Sequence, residues 1–418
     1  MARSTNRSDA VRRRPRDRKA QIARVSAEAF SELGYYGVTM ELIASRVGVS
    51  ATALYRHYSS KYELFRDAVL SLGQQLVDCT DFADQADGDP QQLLDRIHLA
   101  LINTALANRE SGGLYRWEAR LLAPEDQRIL IDQMRTVHKR IQRPLRELRP
   151  GLTSRQCWTL STAALSVFGS LVDHRSKLPA NQIRALLAEL ADAVLATDIG
   201  DLPDEDTPGA GPERPDPGAG APLSRYEALL TESMRLFNER GYHATSMEDI
   251  AEAVGIQASG IYRYFAGKAD ILAAAFRRSA DRLSADIAEI LRTHPDPPDA
   301  LSAVIEAYVT RALDHPELDW VYYTERLNMS PADQAILNSL QRATVEEWVR
   351  LVVALRPAWT AAQARFAVHA AMALVIDVGR LIEYRHTAHT HTAVVRLMDA
   401  ALLGSYRLRT ALPASQAR

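Results

Sequence analysis

An all-α chain made of two tandem units is the fold class this sequence predicts, on three observations. No stretch alternates polar and apolar residues as a half-buried strand would; apolar positions recur at three- and four-residue spacing, with breaks at Pro and Gly. The stretch Thr39 to Lys61 is repeated at Ser246 to Lys268, every position displaced by 207 residues with no gap. Between the two copies, residues 198–222 hold six Pro, five Gly and seven acidic residues, a composition that cannot bury a core and reads as an extended tether.

Taken in order, residues 1–17 form a basic arm with Arg12, Arg13, Arg14 and Arg16. Minor-groove or phosphate contact and a solvated tail are both open readings of it. Residues 18–65 make the first small domain. Its first helix runs from about residue 17 to 33 and buries Ile22, Val25, Ala29, Phe30 and Leu33. Thr39 then caps a helix whose Ile43, Ala44 and Val47 share one face, and Gly48 supplies the positive φ of a sharp turn. Ser50 caps the next helix, which points Ala51, Leu54 and Tyr58 inward at i, i+3, i+7 spacing. Thr52, Ala53, Arg56 and His57 face outward, with Tyr55 at the edge. Small residues followed by hydrogen-bonding and cationic ones suit a helix N-terminus entering a DNA major groove. Such a pair is a helix-turn-helix. Ser60 and Glu63 bracket Lys61 in a capping-box arrangement that opens another helix.

Residues 66–197 read as a helical bundle, with helices at about 91–109, 114–122, 124–148, 153–176 and 180–197, separated at Gly112-Gly113, Pro124, Pro150-Gly151 and Pro179. The repeat persists there: Tyr115, Glu118, Pro124, Asp126 and Gln127 return as Tyr322, Glu325, Pro331, Asp333 and Gln334. The whole unit is duplicated, giving a second small domain at 223–272 and a second bundle at 273–410.

The net charge of −2 divides unevenly: residues 1–61 carry +7 and residues 223–268 carry −1, so basic charge is concentrated in the first copy. Cys79 and Cys157 have neither metal-ligand spacing nor a disulfide framework, and reduced thiols in the cytoplasm are expected. The apolar run at 366–382 is interrupted by His369, Asp377 and Arg380, which favours a buried helix over a membrane span. The start of the chain is Arg-rich with no apolar segment behind it, unlike a secretory signal. His386, His389 and His391 lack a partnering carboxylate or cysteine, so neither metal nor cofactor is expected. Phosphate-binding glycine loops, nucleophile elbows and His-Glu zinc motifs are missing, and an enzyme is not expected.

The run Gly34-Tyr35, Thr39-Met40, Ile43-Ala44, Val47-Gly48-Val49-Ser50, Leu54-Tyr55-Arg56-His57-Tyr58, Lys61 and Leu64 resembles the TetR family of transcriptional regulators. So does Gly241-Tyr242, Ile250-Ala251, Val254-Gly255-Ile256, Gly260-Ile261-Tyr262-Arg263-Tyr264-Phe265 and Lys268. The resemblance implies a three-helix DNA-binding domain in each copy, followed by a bundle that encloses an effector pocket and dimerises through its last two helices. It carries DNA contact to Thr39, Ser50, Thr52, Ala53, Tyr55, Arg56, His57 and Lys61. In the second copy it does so to Ser246, Gln257, Ser259, Gly260, Tyr262, Arg263, Tyr264 and Lys268. Tyr115, Trp117, Glu118, Tyr322, Tyr323 and Glu325 are its pocket candidates. Because family members are units of about half this length that dimerise, the chain is expected to be a single-chain pseudo-dimer. The helices at 153–176 and 180–197 would pair with those at 360–383 and 390–409. The expected partners are a small-molecule effector and a double-stranded DNA operator, an imperfect palindrome because the two outward faces differ. The expected function is a repressor released by its effector. The alternative is an effector-binding or protein-interaction module whose second helix-turn-helix no longer binds DNA.

Overall fold

The computed structural model describes residues 15–202 and 224–404. The arm at Arg12–Arg14 and most of the tether lie outside the described residues. The described residues are predominantly helical, with no strand among them. The chain divides into two bodies: residues up to 75 with 110–133, and residues 76–109 with 134 onward.

The first body holds the first small domain. Helices α1 (Pro15–Gly37), α2 (Met40–Val47), α3 (Ala51–Tyr55) and α4 (Lys61–Asp78) enclose a core of Ile22, Phe30, Ile43, Leu54, Leu64 and Phe65, all fully buried. Phe65 meets Phe30 and Tyr35 edge-on, with ring centroids 5.3 and 4.9 Å apart. Gly34 breaks α1 with φ +70°, a conformation that a side chain would strain. Residues 114–122, expected to form one helix, fold instead as a π turn (Leu114–Glu118) followed by a 3₁₀ turn (Ala119–Leu121). The π turn packs on α1, and Tyr62 ties the domain to the segment beyond it: its hydroxyl donates to Asp126 Oδ2 at 2.6 Å and accepts from the Ala123 N–H at 2.7 Å.

The second body contains α5 (Pro90–Ala107), most of α6 (Pro124–Leu148), α7 (Ser154–Gly169) and α8 (Ala180–Ala196). It continues through the second copy. There α9 (Arg225–Arg240), α10 (Met247–Ala253) and α11 (Ala258–Ile261) form the small domain with the start of α12 (Lys268–Thr293). The bundle follows as α13 (Pro297–Asp314), α14 (Pro316–Glu325), α15 (Pro331–Leu355), α16 (Ala361–Leu381) and α17 (Ala388–Leu403). The helix expected at 153–176 ends at Gly169, one 3₁₀ turn follows at Ser170–Val172, and 173–179 is irregular.

The centre of this body is a seam in which α7 packs on α16 and α8 on α17. Small residues let the helices approach: Ala163, Ala164, Ala370 and Ala371 are fully buried, and Val167, Leu374, Val375 and Val378 fill the space beside them. Polar ties cross it. Ser166 Oγ donates to Asp377 Oδ2 at 2.7 Å, and Arg356 pairs with Glu189 at 2.9 Å. By length and composition α16 could cross a membrane, with a mean hydropathy of 1.3 in its most apolar window, but 61% of that window is buried inside the protein. It is a core helix, as its polar interruptions suggested.

Candidate nucleic-acid interface and ligand cavity

Each helix-turn-helix is built by caps and one turn residue. Thr39 Oγ1 accepts from the Leu42 N–H and Ser50 Oγ from the Ala53 N–H, so both hydroxyls satisfy helix N-termini. Ser246 does the same with Asp249 in a reciprocal capping box. Gly48 and Gly255 turn the chain at φ +74° and +69°. Leu54 and Tyr58 in one copy, and Ile261 and Phe265 in the other, anchor the recognition segments inward.

What remains outside is the candidate reading surface. Thr52, Arg56 and His57 are exposed and Ala53 is half-buried, with Tyr55 at 47% exposure beside them. In the second copy Gln257, Ser259 and Arg263 are exposed, Tyr262 and Tyr264 are 53% and 42% exposed, and Gly260 is partly covered. Gln257 sits at the N-cap position of α11 without capping it, leaving its amide to the surface.

Lys61 and Lys268, expected at the DNA surface, are only half-exposed. Their ammonium groups turn inward: Lys61 Nζ donates to the Tyr35 and Val38 carbonyls at 3.1 and 3.2 Å and lies 4.4 Å from the Tyr35 ring centre. Lys268 repeats this on Tyr242 and Thr245. Burial lowers both ammonium pKa values. These lysines tie the loop before the helix-turn-helix to the helix after it, a structural duty that spacing alone did not reveal.

The second body holds a partly open cavity of about 720 Å³, of the size that takes small organic ligands. Its walls come from α12, α13, α14, α15 and α16, and residues 172–176 of the first copy close one side. Of the six pocket candidates, Tyr322 and Tyr323 line it. Tyr322 Oη donates to Gln341 at 2.6 Å, and burial raises both phenol pKa values. Glu325, the third candidate from this copy, is buried one turn on and points to the small domain: its Oε1 accepts from the Tyr242 N–H at 3.4 Å and its Oε2 from Asn328. Tyr115, Trp117 and Glu118 lie in the π turn of the first body and do not line this cavity.

The polar lining was not legible in the sequence, because its members come from five helices. Arg311, Arg326, Arg342 and Arg365 converge there with Asp319 and Glu346. Arg365 is held bidentate by Glu346, at 2.6 and 2.9 Å. Among the described residues no carboxylate lies at ion-pair distance from Arg311, Arg326 or Arg342, and burial raises the Asp319 carboxyl pKa. The closing segment is held from its own side by Arg109, which donates to the Leu171, His174 and Ser176 carbonyls. From the other side His174 stacks on His369 with ring centres 4.2 Å apart. Desolvation lowers the His369 pKa to about 4 and that of His174 well below its usual value, so both rings are neutral at pH 7.

Comparison with known proteins agrees with the small domains. The family model "Bacterial regulatory proteins, tetR family" matches residues 22–68 and again 229–275. The HTH-type transcriptional activator FasR of Mycolicibacterium smegmatis is 34% identical over 84 residues, 20% of this chain and 38% of FasR. The HTH-type transcriptional repressor KstR2 of the same organism is 30% identical over 104 residues, 25% of this chain and 50% of KstR2. The chain thus spans half the length or less of these two curated relatives. Among solved structures, the ketosteroid transcriptional regulator KstR2 of Mycobacterium tuberculosis aligns with 44% of this chain and 96% of its own, at 21% identity and a TM-score of 0.38.

Proposed function

Because this chain belongs to the TetR family and carries two of its DNA-binding domains in tandem, we propose that it is a cytoplasmic transcriptional repressor. It binds an operator through both helix-turn-helix faces and leaves it when a small molecule enters the bundle. The observation that carries the reading is the placement of α14. Its Tyr322 and Tyr323 line the cavity, while Glu325 at its end accepts from the backbone of Tyr242. Lys268 grips the carbonyl of the same Tyr242. A ligand that binds better to one position of α14 therefore biases the orientation of the second small domain. Release follows if that position spaces the recognition helices away from the ~34–36 Å of successive major grooves. The seam of α7 and α8 with α16 and α17 takes the place of a dimer interface, so one chain supplies both half-site readers.

Selection of genomic fragments on the purified protein, followed by mobility shift on the recovered site, tests the assignment. Specific retention of one or a few sites supports it; binding that is wholly sequence-independent overturns it. The coupling role of Glu325 has its own test. Glu325→Gln is expected to leave ligand and DNA affinity each within about twofold when measured alone. The factor by which ligand weakens DNA binding should fall several-fold, within the usual 5–150-fold range of coupling.

A further inference from the structure

We propose that the cavity of the second bundle is the one effector site of each chain, and that it takes an organic anion: a carboxylate on an apolar or aromatic body. The inference rests on the repressor reading above and specifies its ligand.

Charge sets the sign of the ligand. The lining carries five arginines, counting Arg175 of the closing segment, against Asp173, Asp319 and Glu346. Glu346 is already committed to Arg365, and the histidines are neutral. Arg311 offers its guanidinium at the wall; Nη1 donates to Ser279 at 2.6 Å, and its buried Nε has no partner. A buried guanidinium N–H without an acceptor is costly, and a ligand oxygen would supply one. Around these cations the wall is Phe276, Leu283, Tyr308, Leu318, Met372 and Ile376, which suits an apolar body.

The count of sites follows from the repeat. The positions of Tyr308, Arg311, Asp319, Arg326, Glu346 and His369 correspond, 207 residues earlier, to Leu101, Thr104, Gly112, Ala119, Lys139 and Thr162. The first copy therefore lacks most of the polar set. Its packing differs as well. Ala280 and Leu337 line the cavity, whereas at the equivalent Gly73 a Cβ would meet Leu130 Cδ1 at 2.8 Å and collide with the Gln133 side chain. There the helices touch where the second copy leaves space. A symmetric homodimer has two equal sites; this chain has divided the labour, and its first copy contributes the closing segment.

Isothermal titration of the full chain with 2-naphthoate and with straight-chain carboxylates from octanoate to oleate tests this, each beside its primary amide. The expected result is a stoichiometry of one per chain for at least one acid, with the matching amide roughly tenfold weaker or more. Arg311→Gln and Arg342→Gln should each weaken the acid roughly tenfold, the scale of one charge-assisted hydrogen bond. Asp319→Asn should tighten it several-fold, a gain that a misfolded variant would not give. Two sites per chain, amides binding as well as acids, or no acid binding across the panel overturns the proposal. A mobility shift on the same preparation separates the failures. Operator binding without acid binding sinks this inference alone; acid binding without any operator sinks the repressor reading.

Discussion

Each helix-turn-helix is accompanied by an inward-turned lysine and an exposed arginine, and substitution should separate their roles. Lys61→Met or Lys268→Met leaves two loop carbonyls without their donor. Each is expected to destabilise the protein by about 1–3 kcal/mol, the cost of stranding such groups. Thermal unfolding would show this as a lower Tm, with DNA binding recovering at lower temperature. Arg56→Ala and Arg263→Ala remove exposed side chains, so Tm should stay within a degree or so. Their effect belongs to the complex: weaker operator binding, with the log–log salt slope flattened by roughly 0.9 for each phosphate no longer neutralised. Anisotropy titrations at several salt concentrations read that slope. An arginine variant that melts early, or a lysine variant that melts normally but binds poorly, would reverse these roles.

At the scale of elements, the seam between α7 and α16 carries a pH dependence. His138 on α6 lies 3.0 Å from the Ser161 hydroxyl with its ring beside that of Trp158, and desolvation depresses its pKa to about 4 despite the opposing pull of Asp377. His369 on α16 is depressed to about 4 by burial and by Arg365, with Glu346 opposing. Both are neutral in the folded protein and regain a pKa near 6.5 when it unfolds. Below pH ~6.5 the unfolded chain binds more protons, so stability is full above that pH and falls as the pH drops toward 4. The slope is at most about 1.4 kcal/mol per pH unit for each histidine. Urea unfolding at pH 7.5, 6 and 5 should show the midpoint falling over that window, and His369→Asn should reduce the fall. A flat midpoint from pH 7.5 to 5 would contradict the assignment.

For the whole molecule, the unequal copies predict an unequal operator. The outward faces present Ser50, Thr52, Ala53 and His57 in one copy against Gln257, Ser259, Gly260 and Tyr264 in the other. Gln257 can pair bidentately with an adenine edge, which Ser50 reaches poorly. Footprinting should find an imperfect palindrome, and operators symmetrised from either half should bind more weakly than the natural one. Equal affinity for both symmetrised forms would mean that the difference is not read. The charge split, +7 for residues 1–61 and −1 for residues 223–268, makes a separate prediction. Deleting residues 1–16 should flatten the salt dependence of DNA binding, by roughly 0.9 for each arginine that had met a phosphate. An unchanged slope would assign the arm to the solvent.

By itself the sequence determined what depends on local pattern and on the repeat. The helix-turn-helix caps Thr39, Ser50 and Ser246, the turn glycines Gly48 and Gly255, and the inward Leu54 and Tyr58 are dictated by neighbours within a few residues, so spacing suffices to find them. The pairing helices of the seam were legible too, since Ala163-Ala164 and Ala370-Ala371 mark close approach on the next-to-last helix of each copy. Only the tertiary structure decided the rest. Lys61 occupies a position read as a DNA contact, yet its ammonium finds carbonyls 23 and 26 residues earlier. Glu325 has pocket spacing, but α14 ends against the small domain, and the carboxylate goes to the Tyr242 N–H. The cavity arginines share no local pattern, because a cavity forms where helices diverge, and its lining is set by which faces remain unpacked. That choice belongs to long-range packing, which lets one copy close at Gly73 and the other stay open at Ala280.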